Sequence, residues 1–227
     1  MKEIIASKSK ADIEACHYST DKKYTELLIM LLEEKDKKKD LKDLKDLIQF
    51  TLIHRISILQ TNNTNLFKSS IKKEKTAYAN DSIDISMNLN SFYFHLSGII
   101  DNLGWYIEYK LKILNIEIND KRNKSLIGLY KNRNKKFLQE LKIKEINLYN
   151  TILEYQNWFN ELIEKRDPIT HRKPLYVPPT VQTEKERKFM PIGLFGDSFI
   201  NIVESTVEDT SKLHSLIIKI LKYNKVI

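Results

Sequence analysis

The first proline of this chain is residue 168, and all five prolines fall between positions 168 and 191. Everything before them lacks the side chain that most reliably breaks a helix. Apolar residues there recur at steps of three and four, the period of a helix with one buried face. Leu41, Leu44, Ile48, Leu52, the stem of Arg55, and Leu59 form one such stripe, and Leu27, Leu28, Leu31 and Leu32 form an earlier patch. Between them Glu33 to Asp40 is entirely charged, which reads as a solvated helix face or as a break between two helices. Residues 61–80 are polar, opening with Thr61-Asn62-Asn63-Thr64-Asn65, and read as a linker. This divides the chain into an N-terminal helical region at 1–60, in which nothing suggests chemistry, a linker at 61–80 and a helical bundle at 81–227.

The bundle opens with a helix from about Asp81 to Leu114. Phe92, Leu96, Ile99, Leu103 and Tyr106 make its core stripe, and His95, Gly98, Asn102, Trp105 and Tyr109 make a second line beside it. His95 and Asn102 read either as satisfied helix-edge groups or as supports that orient a site on a neighbouring helix. A basic helix is expected around Asn123 to Lys144, with Leu126, Leu129, Tyr130, Phe137 and Leu141 inward. The clearest stripe follows, Leu148, Ile152, Tyr155, Phe159 and Leu162, and the next position in its rhythm is Arg166. A cation is favoured at the C-terminal end of a helix, and Pro168 is expected to end or kink this one. A proline-rich loop then spans 168–191. Short extended pieces are expected at Phe189 to Pro191 and Phe199 to Val203. Ser205-Thr206-Val207-Glu208 has the pattern of a capping box opening a last helix. The fold class is therefore all-α, an antiparallel helical bundle with additional N-terminal helices.

Charge narrows the partners. Between Lys121 and Lys144 stand nine cations and one acid, Glu140, a local charge equal to the +8 of the whole chain. A concentrated basic segment attracts a polyanion, with counterion release contributing to affinity; the ordinary alternative is a solvated face. Lys131, Arg133, Lys135 and Lys136 are the candidate RNA contacts. The single cysteine, Cys16, excludes an internal disulfide and a cysteine zinc cage. No histidines or carboxylates stand at ligand spacing, so neither a metal nor another cofactor is expected. No apolar run approaches the roughly 18–20 residues of a membrane span. The first residues carry an acid and no sustained apolar stretch, so no signal peptide is read and the cytoplasm is the expected compartment.

The chemistry concentrates in Arg166-Asp167-Pro168-Ile169-Thr170-His171. Histidine moves protons near neutral pH, and the arginine fork holds phosphate oxygens. The same residues also have a structural reading, with Arg166 capping helix carbonyls, Asp167-Pro168 stopping the helix and His171 pairing with backbone.

An arginine and a histidine separated by four residues, with a polar residue directly after the arginine, at a helix end in an otherwise helical chain, resemble the motif of the HEPN superfamily. The longer string from His171 to Pro179 is similar to a segment of bacterial HEPN-like proteins. The resemblance covers about Asp81 to Pro179. It implies a four-helix core in a homodimer whose two motifs face one shared cleft. It implies a metal-independent endoribonuclease, a toxin or defence effector acting on RNA, with an antitoxin or defence-system partner. The alternative it leaves open is a non-catalytic module that binds RNA or protein. Carried over, Arg166 and His171 are the catalytic pair and Asp167 their polar support. His95, Asn102, Arg172 and Tyr176 are supporting residues. One HEPN subgroup has a tyrosine two residues after the histidine that a partner enzyme modifies. Here that position is Lys173, a departure that argues against this regulation, although Tyr176 is close by.

Overall fold

Among the described residues, the part of the chain before Pro168 is helix almost throughout. The computed structural model describes residues 10–37, 41–70, 79–116, 124–171, 192–195 and 198–223. Helix α1 is Lys10–Lys37. Helix α2, Lys42–Leu47, passes through a π-helical stretch, Ile48–Ile53, into α3, His54–Ser70, with helical backbone at both junctions. Inside the π stretch the Thr51 hydroxyl donates back to the Leu47 carbonyl.

The loop expected to begin at residue 61 is a correction. Thr61 to Asn65 lies within α3. Its asparagines are not loop formers but cross-links between helices. Asn62 Nδ2 donates to Ser91 Oγ at 2.9 Å, Asn63 Nδ2 to the Tyr24 hydroxyl at 2.7 Å, and Asn65 Nδ2 to Asn88 Oδ1 at 3.1 Å. Amide donors at such buried or half-buried places are tolerated when paired, and the Nδ2 of each of the three is; the buried Oδ1 of Asn63 has no partner among the described residues. Residues 66–70 of the expected linker also belong to α3 and residues 79–80 open the next helix, while 71–78 lies outside the described residues.

Helix α4 is Ala79–Leu111, and all five residues of its expected core stripe are buried. Its end is tied by Glu108, a buried carboxylate that accepts the backbone N–H groups of Leu114 (2.8 Å) and Ile116 (3.0 Å). The expected basic helix is only partly helical: a 3-10 turn at Lys124–Leu126, then a turn, then α5 at Lys135–Lys144. Asn134 explains the interruption. Its Oδ1 accepts the Tyr130 N–H at 3.3 Å, and its Nδ2 donates to the carbonyls of Ser125 (3.1 Å) and Leu126 (3.3 Å). These are backbone groups that a continuous helix would have used itself. The turn lies tight against α4, because a Cβ on Gly104 would come within 2.7 Å of the Gly128 Cα.

Helices α6, Ile146–Leu153, and α7, Gln156–His171, are separated by a turn at Glu154 and Tyr155. Leu148, Ile152, Tyr155, Phe159 and Leu162 are buried as the periodicity requires. Pro168 does not end α7, which continues to His171. A proline removes one backbone donor from a turn, and the residues after it keep theirs. An antiparallel hairpin, β1 at Ile192–Phe195 and β2 at Ser198–Asn201, precedes α8 at Ile202–Lys222. Ile202 and Val203 thus belong to the helix, not to an extended piece, and Phe189 to Pro191 lies outside the described residues. The expected capping box lies inside α8, where its hydroxyls serve other partners. Ser205 Oγ meets the Tyr93 hydroxyl at 2.8 Å, and Thr206 Oγ1 donates to the Val203 carbonyl at 3.1 Å.

Side-chain bonds give the helix directions. Lys35–Gln49, Asp21–Gln60 and His17–Thr64 run in opposite order, so α1 is antiparallel to the α2–α3 helix. The pairs Asn65–Asn88, Asn62–Ser91 and Arg55–His95 make α3 antiparallel to α4. Trp158–Asp209 and Tyr155–Ser215 make α7 antiparallel to α8. Helix α8 departs from a wholly antiparallel arrangement, since Lys23–Ser211 and Glu26–His214 place it parallel to α1. One buried cluster runs from Tyr24 to Leu221, so α1 and α3 share the core of the later helices. No helix among the described residues is long and apolar enough to cross a membrane.

Candidate functional site

Arg166 occupies the place its stripe assigns to it. It follows Leu162 on α7, where the helix leaves the core. Its side chain is 28% exposed and its guanidinium lies 3.8 Å from the carboxylate of Asp101 on α4. The next residue, Asp167, accepts a 2.9 Å hydrogen bond from the Arg133 guanidinium. The basic turn before α5 is thereby docked on the motif. Gln156 fixes the other side of that turn by accepting the Lys131 N–H at 2.9 Å and donating to the Leu129 carbonyl at 2.8 Å.

A third arginine comes from α3. Arg55 reaches across α4 over Gly98, where a Cβ would come within 2.6 Å of its Cζ. Its Nη1 lies 3.3 Å from His95 Nδ1, and its guanidinium carbon lies 5.8 Å from the centre of the Phe94 ring. A guanidinium only donates, so Nδ1 of His95 accepts and its proton sits on Nε2. Burial, then the charges of Arg55 and His54, push the His95 pKa down, which keeps the ring neutral at pH 7.

Asp101 is the electrostatic hub. Burial raises its pKa, while Arg166, Arg133 and Arg55, in that order of effect, pull it back. Arg55 shows the complementary strain. Burial lowers its pKa, Asp101 opposes this, and the charge of Arg166 adds to the lowering. Three guanidiniums, from α3, the basic turn and α7, thus act on one carboxylate of α4, with Arg166 paired to it at 3.8 Å. Chemically this is an environment for an anion with several oxygens.

Lys131, Arg133, Lys135 and Lys136 are all exposed, and they adjoin this cluster through the Arg133–Asp167 bond. Lys144 has a structural task instead, donating to the carbonyls of Lys112 (3.2 Å) and Ile113 (2.6 Å). Of the expected supports, His95 meets Arg55 and not Arg166. The buried Nδ2 of Asn102 has no hydrogen-bond partner among the described residues. His171 is the last residue of α7, but its side chain lies outside the described residues, as do Arg172 and Tyr176. On a regular helix positions 166 and 171 stand roughly 140° apart around the axis and about 7.5 Å apart along it. Among the described residues no group of three or more histidines, cysteines or carboxylates is placed to hold a metal ion.

Arg55, Asp101, Asn134 and Gln156 are absent from the sequence-based site. The sequence does carry a signal for Arg55: a cation in an apolar stripe, between Leu52 and Leu59, the same irregularity that marks Arg166. Comparison with protein-family models, curated proteins and solved structures finds no match to this chain.

Proposed function

We propose that this chain is a HEPN-type, metal-independent endoribonuclease that works as a homodimer, with α4 to α8 as its HEPN core and a toxin or defence role. The observation that carries this reading is the position of Arg166. It leaves the core at the end of a buried stripe, beside two other arginines and contiguous with the exposed basic turn. RNA supplies its own nucleophile. A base removes the proton of the ribose 2′-hydroxyl, the oxygen attacks the adjacent phosphorus, and the 5′-oxygen leaves with a proton. The products are a 2′,3′-cyclic phosphate and a 5′-hydroxyl. His171 serves as a proton-transfer residue, and Arg166 balances the charge that builds on the phosphoryl oxygens. Two proton transfers and one such histidine per motif favour a cleft shared by two copies.

A second reading is a non-catalytic RNA-binding module. It is favoured by Asp167, whose bond to Arg133 docks the basic turn and so gives this residue of the motif a structural task.

Replacing Lys131, Arg133, Lys135 and Lys136 together by alanine tests RNA engagement. Affinity for single-stranded RNA should fall. The slope of log affinity against log salt should shrink by roughly 0.7 for each phosphate no longer neutralised, and so by about three units when all four cations are removed. An unchanged slope contradicts RNA binding at this surface. Light scattering at micromolar protein should give a dimer, and a monomer there contradicts the shared cleft.

A further inference from the structure

We propose that Arg55 is a phosphate-binding residue of this site, that its guanidinium and that of Arg166 hold one phosphate group of the RNA backbone, and that Gly98 leaves the space in which Arg55 does so. Naming RNA as the source of that phosphate rests on the function proposed above; the phosphate chemistry does not.

Three independent features support the assignment. The first is geometric. A side chain at position 98 would overlap the Arg55 guanidinium, so the only residue without one lets Arg55 cross α4 towards the end of α7. The second is the nature of its partners. Its described hydrogen bond goes to a neutral imidazole, and its other close neighbour is an aromatic ring. Both orient a guanidinium without cancelling its charge. The third is proximity: the Arg55 guanidinium lies over Gly98 and that of Arg166 meets Asp101, three residues and about 4.5 Å further along α4, and the charges of the two arginines disfavour one another. Like charges held together at a half-buried site are relieved by an anion, and two guanidinium forks match the oxygens of a phosphate. His95 is then a positioning residue that aims Arg55 through Nδ1. The role also gives α3 a place in the site, although α3 lies outside the part of the chain that resembles a known motif.

Two variants separate charge from position. Arg55→Gln removes the charge. Gly98→Ala keeps the charge but drives the guanidinium from its place, at little cost to folding, because the displaced group is the end of a flexible side chain. Alanine is also the better helix former. The probes are inorganic phosphate, read as a rise in melting temperature, and a short fluorescein-labelled single-stranded RNA, read by anisotropy. Phosphate should stabilise the wild type, and both variants should lose that response while melting cooperatively without it. RNA affinity should fall on the order of tenfold in each, with a salt slope smaller by roughly 0.7 in Arg55→Gln. Arg55→Lys should recover part of the affinity.

If the wild type cuts RNA and both variants bind phosphate and RNA as it does, the assignment of Arg55 is overturned and the nuclease reading stands. If the wild type ignores RNA, but phosphate stabilises it and neither variant, the nuclease reading falls and the assignment of Arg55 stands. A wild type that phosphate does not stabilise overturns the assignment directly.

Discussion

His171→Ala should lower the rate of RNA cleavage by roughly 10²–10⁴-fold, the usual loss on removing a general acid or base. Arg166→Ala should cost about 10²–10³-fold, as removal of a group that stabilises transition-state charge does. The fold should survive both. The ion pair of Arg166 with Asp101 is 3.8 Å long with both side chains partly exposed, so its loss should change stability by no more than about 1 kcal/mol. Losing Arg166 also removes a repulsion on Arg55. Arg166→Lys separates two contributions of the arginine, because it keeps a point charge and loses the fork; an intermediate rate is expected. Initial rates on a single-stranded substrate, with melting curves in parallel, make the comparison. Wild-type rates in both alanine variants would remove the catalytic roles assigned to this pair.

The largest expected loss of stability lies elsewhere, at Asp209. Its carboxylate is buried, accepts the Trp158 indole N–H at 2.8 Å, and pairs with Lys165 at 3.1 Å. Lys165 also reaches Ser205 at 3.2 Å and lies 4.8 Å from the centre of the Tyr93 ring. One carboxylate thus joins α7 to α8, and Lys165 carries the link on to α4. Asp209→Ala leaves a largely buried ammonium and an indole donor without this partner. Breaking a buried pair from one side typically costs about 3–5 kcal/mol. Asp209→Asn keeps an acceptor for the indole and should cost less. Urea unfolding should show lower midpoints at constant slope for both, alanine below asparagine. Equal midpoints for Asp209→Ala and the wild type would mean that the network contributes nothing to holding these helices together.

What is legible in the sequence follows from what periodicity records. Burial repeats every three or four residues, so the stripes of α4, α6 and α7 and the exit of Arg166 from the core can be read directly. Polar residues used between helices leave no such trace. Asn62, Asn63 and Asn65 have loop composition because nothing local distinguishes an amide bonded to water from one bonded to Ser91 or Tyr24. Asn134 breaks the basic helix through bonds to backbone groups up to nine residues away, and Gln156 holds the basic turn from 25 residues further along the chain. The mutual influence of Arg55, Asp101, Arg133 and Arg166 joins four segments that only packing brings near one another. Only the irregularity that Arg55 and Arg166 each make within an apolar stripe is visible beforehand.

One assay reaches the proposed chemistry with the fewest intermediate steps. The purified full chain is incubated with single-stranded RNA in excess EDTA, and the ends of the products are identified by mass spectrometry. Metal-free transesterification requires cut RNA with 2′,3′-cyclic phosphate and 5′-hydroxyl ends, formed by the wild type and not by His171→Ala. Intact RNA in EDTA, or cleavage that needs a divalent ion and leaves 5′-phosphates, would contradict it.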